Sequence, residues 1–120
     1  MAVRLHKSAF EYAKELVKKK RVTLDQRDAW SEHQPTAEQE NEFIREHGYD
    51  EYGKWHLGID DEEPRDTKKR YKFPYGDFRT VHRCAVLSAE SRAGQYKHND
   101  IEIAAAHLHG MLEEIKQPAA

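Results

Sequence analysis

Eight histidines and a single cysteine are the residues of this 120-residue chain whose types could bind a metal ion. His82 and Cys84 lie two positions apart, as do His107 and His109. Two residues with that spacing on one helix point about 200° away from each other, whereas helical metal ligands come three or four positions apart. We therefore expect no metal centre on one helix. A site between helices, with His82 or Cys84 facing His107, stays open as an alternative.

A basic and aromatic segment, residues 65–83, is the second group of residues that could do chemistry. It carries seven basic and two acidic residues, a net charge of +5, with aromatic rings between them. Cations beside aromatic platforms are what single-stranded nucleic acid requires. The candidate binding residues are Lys68, Lys69, Arg70, Tyr71, Lys72, Tyr75, Arg79 and Arg83, together with Trp55 outside the segment. For Trp55 we favour a place in the core over a binding platform, because a chain with few large apolar residues needs the bulk of an indole ring to fill its core.

An acidic segment, residues 32–51, has a net charge of −6 and can neutralise the basic one. Glu38, Glu42 and Glu46 lie four apart and form one row on a predicted helix. We expect this row to face the cations of residues 68–72. The alternative is that the basic segment stays open to an anionic partner. With an overall charge of −2, the chain lacks the broad basic footprint of nucleic-acid-binding proteins.

Sequence motifs for catalysis are absent from the chain. It contains no nucleophile elbow, phosphate-binding loop or metalloprotease helix. We therefore expect no catalytic residues and no cofactor.

The composition predicts one small cytoplasmic domain with a thin core. Leu, Ile, Val and Phe number 21 of 120 residues, below the fifth that is typical of a well-filled core. One cysteine excludes an internal disulfide and suits a reducing compartment. The longest apolar run falls far short of the roughly 20 residues that a membrane span needs.

Helix signals predict a mainly α fold with about five helices. Capping boxes and an Asp77 cap place helices over 8–20, 23–30, 36–48, 78–93 and 101–115. The last two form an antiparallel pair, because the turn between them is short. Residues 49–60 read as an irregular aromatic segment, extended around 55–59, and residues 1–7 and 117–120 as flexible.

The last helix carries the clearest pattern in the chain. One apolar stripe recurs at three-and-four spacing, through Ile101, Ala104, Ala105, Leu108, Met111, Leu112 and Ile115. A second stripe of small residues, Ile103, Ala106, His107 and Gly110, permits close approach of another helix or of a second copy of the chain. We expect an unidentified protein partner or self-association, and no membrane.

Five motifs stand out along the chain: Trp30-Ser31-Glu32-His33-Gln34-Pro35, Trp55-His56-Leu57-Gly58-Ile59-Asp60, Tyr71-Lys72-Phe73-Pro74-Tyr75-Gly76-Asp77-Phe78, Val81-His82-Arg83-Cys84 and Ala104-Ala105-Ala106-His107-Leu108-His109. With these motifs the chain resembles a family of small bacterial proteins of unknown function. That family has no assigned activity, so the resemblance implies no catalytic residues. A shorter similarity, through Asp66, Thr67, Lys68, Pro74 and Asp77, links the second half to small domains from prophage head-assembly regions.

The expected function is a non-enzymatic binding or accessory module. The alternative is a nucleic-acid-associated protein that uses residues 65–83. A third interpretation is a metal-binding protein or metal-dependent enzyme built on the His and Cys residues.

Overall fold

The protein combines α-helices with two small β-sheets, as a computed structural model shows for residues 3–116. The elements in order are β1 Val3–Leu5, α1 Lys7–Lys18, β2 Val22–Thr23, α2 Trp30–His33, α3 Ala37–Gly53, β3 His56–Asp60, a 3-10 turn Lys68–Arg70, β4 Tyr71–Pro74, β5 Val81–His82, α4 Arg83–Gln95 and α5 Asn99–Lys116. The prediction of a mainly α fold is therefore wrong: the described chain is an α/β mixture. The five helices of the described residues match the expected number, and the expected extended conformation around residues 55–59 coincides with β3, whereas the other strands were not predicted.

The larger sheet is antiparallel and has the order β1-β3-β4. Its register pairs Arg4 with Ile59 and Gly58 with Lys72. The central strand, β3, is buried at all five positions. A strand covered on both faces shows no alternation of apolar and polar residues, which explains why residues 49–60 looked irregular. β1 lies within the stretch that we expected to be flexible, and residues 1, 2 and 117–120 lie outside the described part.

The smaller sheet is a parallel pair of two-residue strands, β2 and β5. Val22 pairs with Val81 and Thr23 with His82. The Thr23 and Thr80 hydroxyl oxygens are 2.8 Å apart, and their hydrogen bond adds a side-chain contact between β2 and the residue before β5. A helix over 23–30 is therefore a wrong prediction. The chain leaves β2 as a loop and becomes helical only at Trp30.

The start of α4 differs from the prediction in a way that matters for the site. Asp77 does not cap a helix at 78. Its Oδ1 accepts hydrogen bonds from the amides of Arg79 (3.0 Å) and Thr80 (2.8 Å), which closes a tight turn. Asp side chains favour both turns and helix caps, and here the turn competes successfully. The helix begins five residues later at Arg83, with His82 as an extended N-cap residue.

α4 and α5 pack as the predicted antiparallel pair. The first turn of α4 meets the last turns of α5 through an ion pair between Arg83 Nε and Glu113 Oε1 (2.8 Å). At mid-helix, His109 Nδ1 lies 2.9 Å from Glu90 Oε1. Leu108 and Leu112 are completely buried, as the apolar stripe on α5 predicts.

The core lies between α1, the α4–α5 pair and the β3 strand. Trp55 is only 3% exposed and stacks on Tyr75 with ring centroids 5.5 Å apart. The Tyr75 hydroxyl donates a hydrogen bond to the Lys54 carbonyl (2.6 Å). The prediction that Trp55 fills the core is confirmed.

The third helix carries its predicted capping box at Thr36 and Gln39, and it bends at Gly48, whose φ of +86° is not helical. No helix among residues 3–116 is long and apolar enough to cross a membrane.

Candidate metal centre

Four side chains from separate parts of the chain bring potential metal-ligand atoms together at one end of the smaller sheet. They are Asp25, His33, His82 and Cys84, and their ligand atoms all lie within 4.8 Å of one another. A carboxylate, two imidazoles and a thiol are all zinc ligands in proteins.

The parallel pairing of β2 with β5 is what brings Asp25, His82 and Cys84 together. Because Thr23 is paired with His82, and because the strands run in the same direction, the residues that follow them leave the sheet at the same end. Asp25 lies two positions after Thr23, and Cys84 lies two positions after His82. His33 is supplied by α2, of which it is the last residue.

The strand-to-helix junction explains how His82 and Cys84 can act together. His82 has extended backbone angles (φ −95°, ψ 126°), and Cys84 lies in the first turn of α4. The argument that two residues on one helix point apart therefore does not apply to them. Both side chains point to Asp25: His82 Nδ1 is 2.7 Å and Cys84 Sγ 3.0 Å from its Oδ2.

Asp25 is the centre of the cluster. Its Oδ2 also lies 2.8 Å from His33 Nδ1, so three potential ligand groups meet at one oxygen atom. Its Oδ1 accepts a hydrogen bond from the Cys84 backbone amide (2.8 Å), one of the amides that a helix N-terminus leaves free. Oδ1 thus orients the carboxylate, and Oδ2 is the oxygen directed into the cluster.

Asp77 contacts the cluster through the second ring nitrogen of His82. The Oδ2 atom of Asp77 lies 2.9 Å from His82 Nε2. A carboxylate at this nitrogen keeps the proton on Nε2, so that Nδ1 can serve as a ligand. Metal-binding histidines in proteins are typically held in this way by a carboxylate or carbonyl.

The electrostatics of the cluster favour a positive charge within it. Burial alone would raise the pKa of Asp25, but hydrogen bonds from Cys84, His33 and His82 lower it well below its usual range. Burial would also raise the pKa of Asp77, yet its bonds to His82 and to the turn amides lower it to about 2. The pKa of His82 is raised, because the two carboxylates outweigh the effect of burial. Two ionised carboxylates thus face the His82 ring from opposite sides.

Nucleophilic chemistry at Cys84 is a poor match for this arrangement. The residue is completely buried, and burial together with the Asp25 carboxylate raises the pKa of its thiol to about 12. Reactive cysteines are partly exposed and have a lowered pKa. A bound cation would reverse this effect, because a coordinating thiol is deprotonated by the metal.

The size of the cluster fits a tetrahedral zinc ion. Zinc–ligand bonds of about 2.0–2.3 Å place tetrahedral ligand atoms roughly 3.5 Å apart. That separation lies between the 2.7–3.0 Å contacts to Asp25 Oδ2 and the 4.8 Å within which all four ligand atoms lie. Adjustments of about an ångström or less in side-chain position would form the site.

His107, which we considered as a partner for His82 or Cys84, lies elsewhere. It is exposed on α5 and packs edge-on against Phe10, with ring centroids 5.7 Å apart. The structure brings His82 and Cys84 together, but with Asp25 and His33 in place of His107.

The residues of the basic and aromatic segment are dispersed. Lys68 pairs with Glu40 (3.4 Å), Arg70 with Asp61 (3.6 Å) and Arg83 with Glu113 (2.8 Å). Of the other candidates, Tyr75 and Trp55 are buried, Tyr71 and Lys72 are half-buried in β4, and Lys69 and Arg79 are exposed. With Tyr75 and Trp55 inside the core, fewer rings remain to carry stacked bases.

Among the described residues, one ion pair joins the acidic and basic segments. The contact is Lys68 with Glu40, which is not a member of the predicted row. Glu42 and Glu46 instead line a groove with Asp77, Phe78 and Arg79.

Sequence reasoning did not single out Asp25 or His33 as candidate ligands. Asp25 stands in a polar stretch without any motif, and it reaches the site only through a pairing of two-residue strands that has no signature in the sequence. His33 was one of eight histidines. The one usable signal was the pair His82 and Cys84, and it required the correct start of α4.

Comparison of the chain with protein family models, with curated proteins and with solved structures gave no match.

Proposed function

We propose that this protein is a metal-binding module whose Asp25, His33, His82 and Cys84 side chains hold a zinc ion. The observation that carries the proposal is the convergence of these four donors within 4.8 Å. The Asp77 carboxylate contacts Nε2 of His82. Carboxylates orient metal-binding histidines through this kind of contact.

Four protein ligands favour a structural site over a catalytic one. A catalytic zinc ion keeps one position open for water or substrate, whereas structural sites are closed by four protein ligands. Asp25 Oδ1 is already held by the Cys84 amide, so the carboxylate supplies one oxygen. The proposal therefore retains a non-enzymatic accessory module and assigns it a metal.

The metal would fasten the loop between β2 and α2 to the core. This stretch has little apolar anchorage: Leu24 is 41% exposed, and α2 has no buried residue. Asp25 and His33 lie at its two ends: Asp25 accepts a hydrogen bond from the Cys84 amide at the start of α4, and His33 contacts Asp25. Metal binding and the ordering of residues 24–33 should therefore be coupled.

The competing interpretation is a hydrogen-bonding cluster that needs no metal. In that case Asp25 serves only as a cap for α4, a role for which Asp is well suited. The two interpretations differ in the effect of removing the thiol. If Asp25 is only a cap, Cys84→Ser should change the stability of the protein little. If the cluster is a zinc site, the same substitution removes one zinc ligand.

The deciding experiment measures metal content and cobalt spectra of the purified protein. We expect one zinc per chain after dialysis against metal-free buffer, and a sulfur-to-cobalt charge-transfer band on substitution with Co²⁺. Cys84→Ser should abolish the band, and His82→Ala should lower the zinc content. His107→Ala, which removes an exposed histidine outside the cluster, should leave both unchanged. Protein that binds no zinc from a tenfold excess, or equal losses in the His107 control, would refute the proposal.

A further inference from the structure

A groove on the face of α4 that lies beside the metal cluster carries two arginines and an indole ring. It is bounded by the loop before α2, by α2 itself and by α4, and it has a volume of about 440 Å³. Arg27 lines it from the loop, Arg92 from the last turn of α4 and Trp30 from the first residue of α2. We propose that this groove binds a small organic anion that carries an aromatic ring.

The two arginines supply the anion-binding part. Neither forms an ion pair with a carboxylate among residues 3–116. The Arg92 guanidinium lies over the Phe73 ring, 5.9 Å from its centroid, which restricts its position before any ligand arrives. Asp28 is the one acidic residue of the lining, so the guanidinium groups outnumber the carboxylate. Guanidinium groups match the oxygen atoms of a phosphate or carboxylate in pairs.

Trp30 and α4 supply the ring-binding part. The indole is half-buried and is held from behind by His82, with ring centroids 5.7 Å apart. The buried Leu87 lies beneath the groove on α4. An aromatic ring could stack on Trp30, and such stacking contributes to binding without requiring a particular ring.

Hydroxyl groups complete the groove. Ser88 and Ser91 lie one turn apart on α4 and both line it. Each is an uncharged donor for an anion oxygen. Two arginines, two hydroxyls and an indole lining one groove suit a ligand that has a charged group and a flat apolar group.

The groove is separate from the metal cluster, and the inference does not depend on zinc. None of the four proposed ligands lines the groove. Trp30 lies between the groove and the metal cluster: its ring contacts His82 of the cluster, and it also lines the groove. An anion in the groove is therefore held by the arginines and not by the metal.

The test is calorimetric titration of the protein with phenyl phosphate, benzoate and inorganic phosphate. Phenyl phosphate or benzoate should bind more tightly than inorganic phosphate, and the tighter of the two identifies the charged group as phosphate or carboxylate. Arg27→Gln and Arg92→Gln should each weaken binding about tenfold or more, because each removes a charge-assisted hydrogen bond. The matched control is Arg45→Gln, an exposed arginine on α3 away from the groove, which should leave affinity unchanged.

Two results would overturn the inference. One is the absence of measurable binding of both ring-bearing anions to the folded wild-type protein. The other is binding that survives both arginine substitutions and disappears when zinc is removed by a chelator, since that would place the anion on the metal. Trp30→Leu, with its fold verified by circular dichroism, should abolish the preference for phenyl phosphate over inorganic phosphate; an undiminished preference would exclude Trp30 as the ring-binding surface.

Discussion

The Cys84 thiol lies 3.0 Å from Asp25 Oδ2, although 59 positions separate the two residues in the chain. The Cys84 backbone amide binds the other oxygen of the same carboxylate at 2.8 Å. One aspartate thus holds both the backbone and the side chain at the start of α4. The contact joins a loop with little apolar anchorage to α4, which has six buried residues, and it places one carboxylate oxygen within hydrogen-bonding distance of the His33 and His82 imidazoles.

Asp77→Asn should weaken zinc binding by about 10–100-fold, the usual effect of removing a partner that orients a metal ligand. Asn retains the Oδ1 that accepts hydrogen bonds from the Arg79 and Thr80 amides, so the turn stays closed. Its amide nitrogen replaces Oδ2 and donates toward His82 Nε2. The proton of the neutral imidazole then moves to Nδ1, which can no longer bind the metal. Competition with a chromophoric chelator measures the affinity.

Asp66→Asn is the control for that experiment. Asp66 is exposed in the loop after β3 and has no contact with the cluster. Its substitution removes the same charge at a distance. Equal affinities of the Asp77 and Asp66 variants would contradict a supporting role for Asp77.

Leu108→Ala should lower the free energy of unfolding by about 2–5 kcal/mol, the range for truncating a fully buried leucine. Leu108 is completely buried on α5. Ile103→Ala on the same helix should change it by less than about 0.5 kcal/mol, because Ile103 is 70% exposed. Urea denaturation of both variants provides the comparison. Similar losses for the two would mean that the second stripe on α5 is also covered, as it would be in a self-associated protein.

The helices α1 and α5 and the start of α3 could be predicted from the sequence because their signals are local. The stripe on α5 repeats over four turns, and its members Ile101, Leu108 and Leu112 are all completely buried. The capping box of Thr36 and Gln39 occurs where the pattern indicates. In such segments the residues that decide the structure lie within four positions of one another.

Apart from the extended conformation around residues 55–59, the strands and the metal cluster could not be predicted, because they depend on contacts between distant residues. Strands of two residues, such as β2 and β5, are too short to show a period. Asp77 followed by helix-compatible residues fits a cap as well as it fits a turn, and only the tertiary structure decides between them. The error displaced the helix start from Arg83 to Phe78, and this placed His82 on a helix, where it could not act with Cys84.

Gly76→Ala should destabilise the protein strongly, while Gly110→Ala should not. A Cβ atom at Gly76 would lie 2.5 Å from the Thr80 carbonyl oxygen and 2.7 Å from the Trp55 ring, so the turn that leads to His82 would have to shift. At Gly110 no atom of the described residues lies within 4 Å of the added atom, and alanine in a helix is favoured over glycine by about 1 kcal/mol. Thermal melting should show a lower transition for the first variant and an equal or higher one for the second. A Gly76 variant as stable as the wild type would show that the turn accommodates a side chain.

His56 should make the protein lose stability as the pH falls from about 6.5 to about 4. The residue is buried in β3, and this burial lowers the pKa of His56 to about 4, despite the hydrogen bond to the Tyr52 carbonyl (3.0 Å) that favours a protonated Nδ1. In the unfolded chain its pKa returns to about 6.5. Between these values the unfolded state binds the proton and the folded state does not, so protonation favours unfolding.

The effect can reach roughly 3 kcal/mol at pH 4, since each pKa unit corresponds to about 1.4 kcal/mol. His82 acts in the opposite direction, because its pKa is raised. A comparison of the wild type with His56→Asn isolates the contribution of His56: Asn can donate to the Tyr52 carbonyl from the same position, but it does not titrate. His6, whose pKa is also lowered by burial, is common to both proteins. Urea denaturation at half-unit steps from pH 7 to pH 4 should show a shallower decline of stability in the variant. Parallel declines in the two proteins would show that His56 does not control the acid sensitivity of the fold.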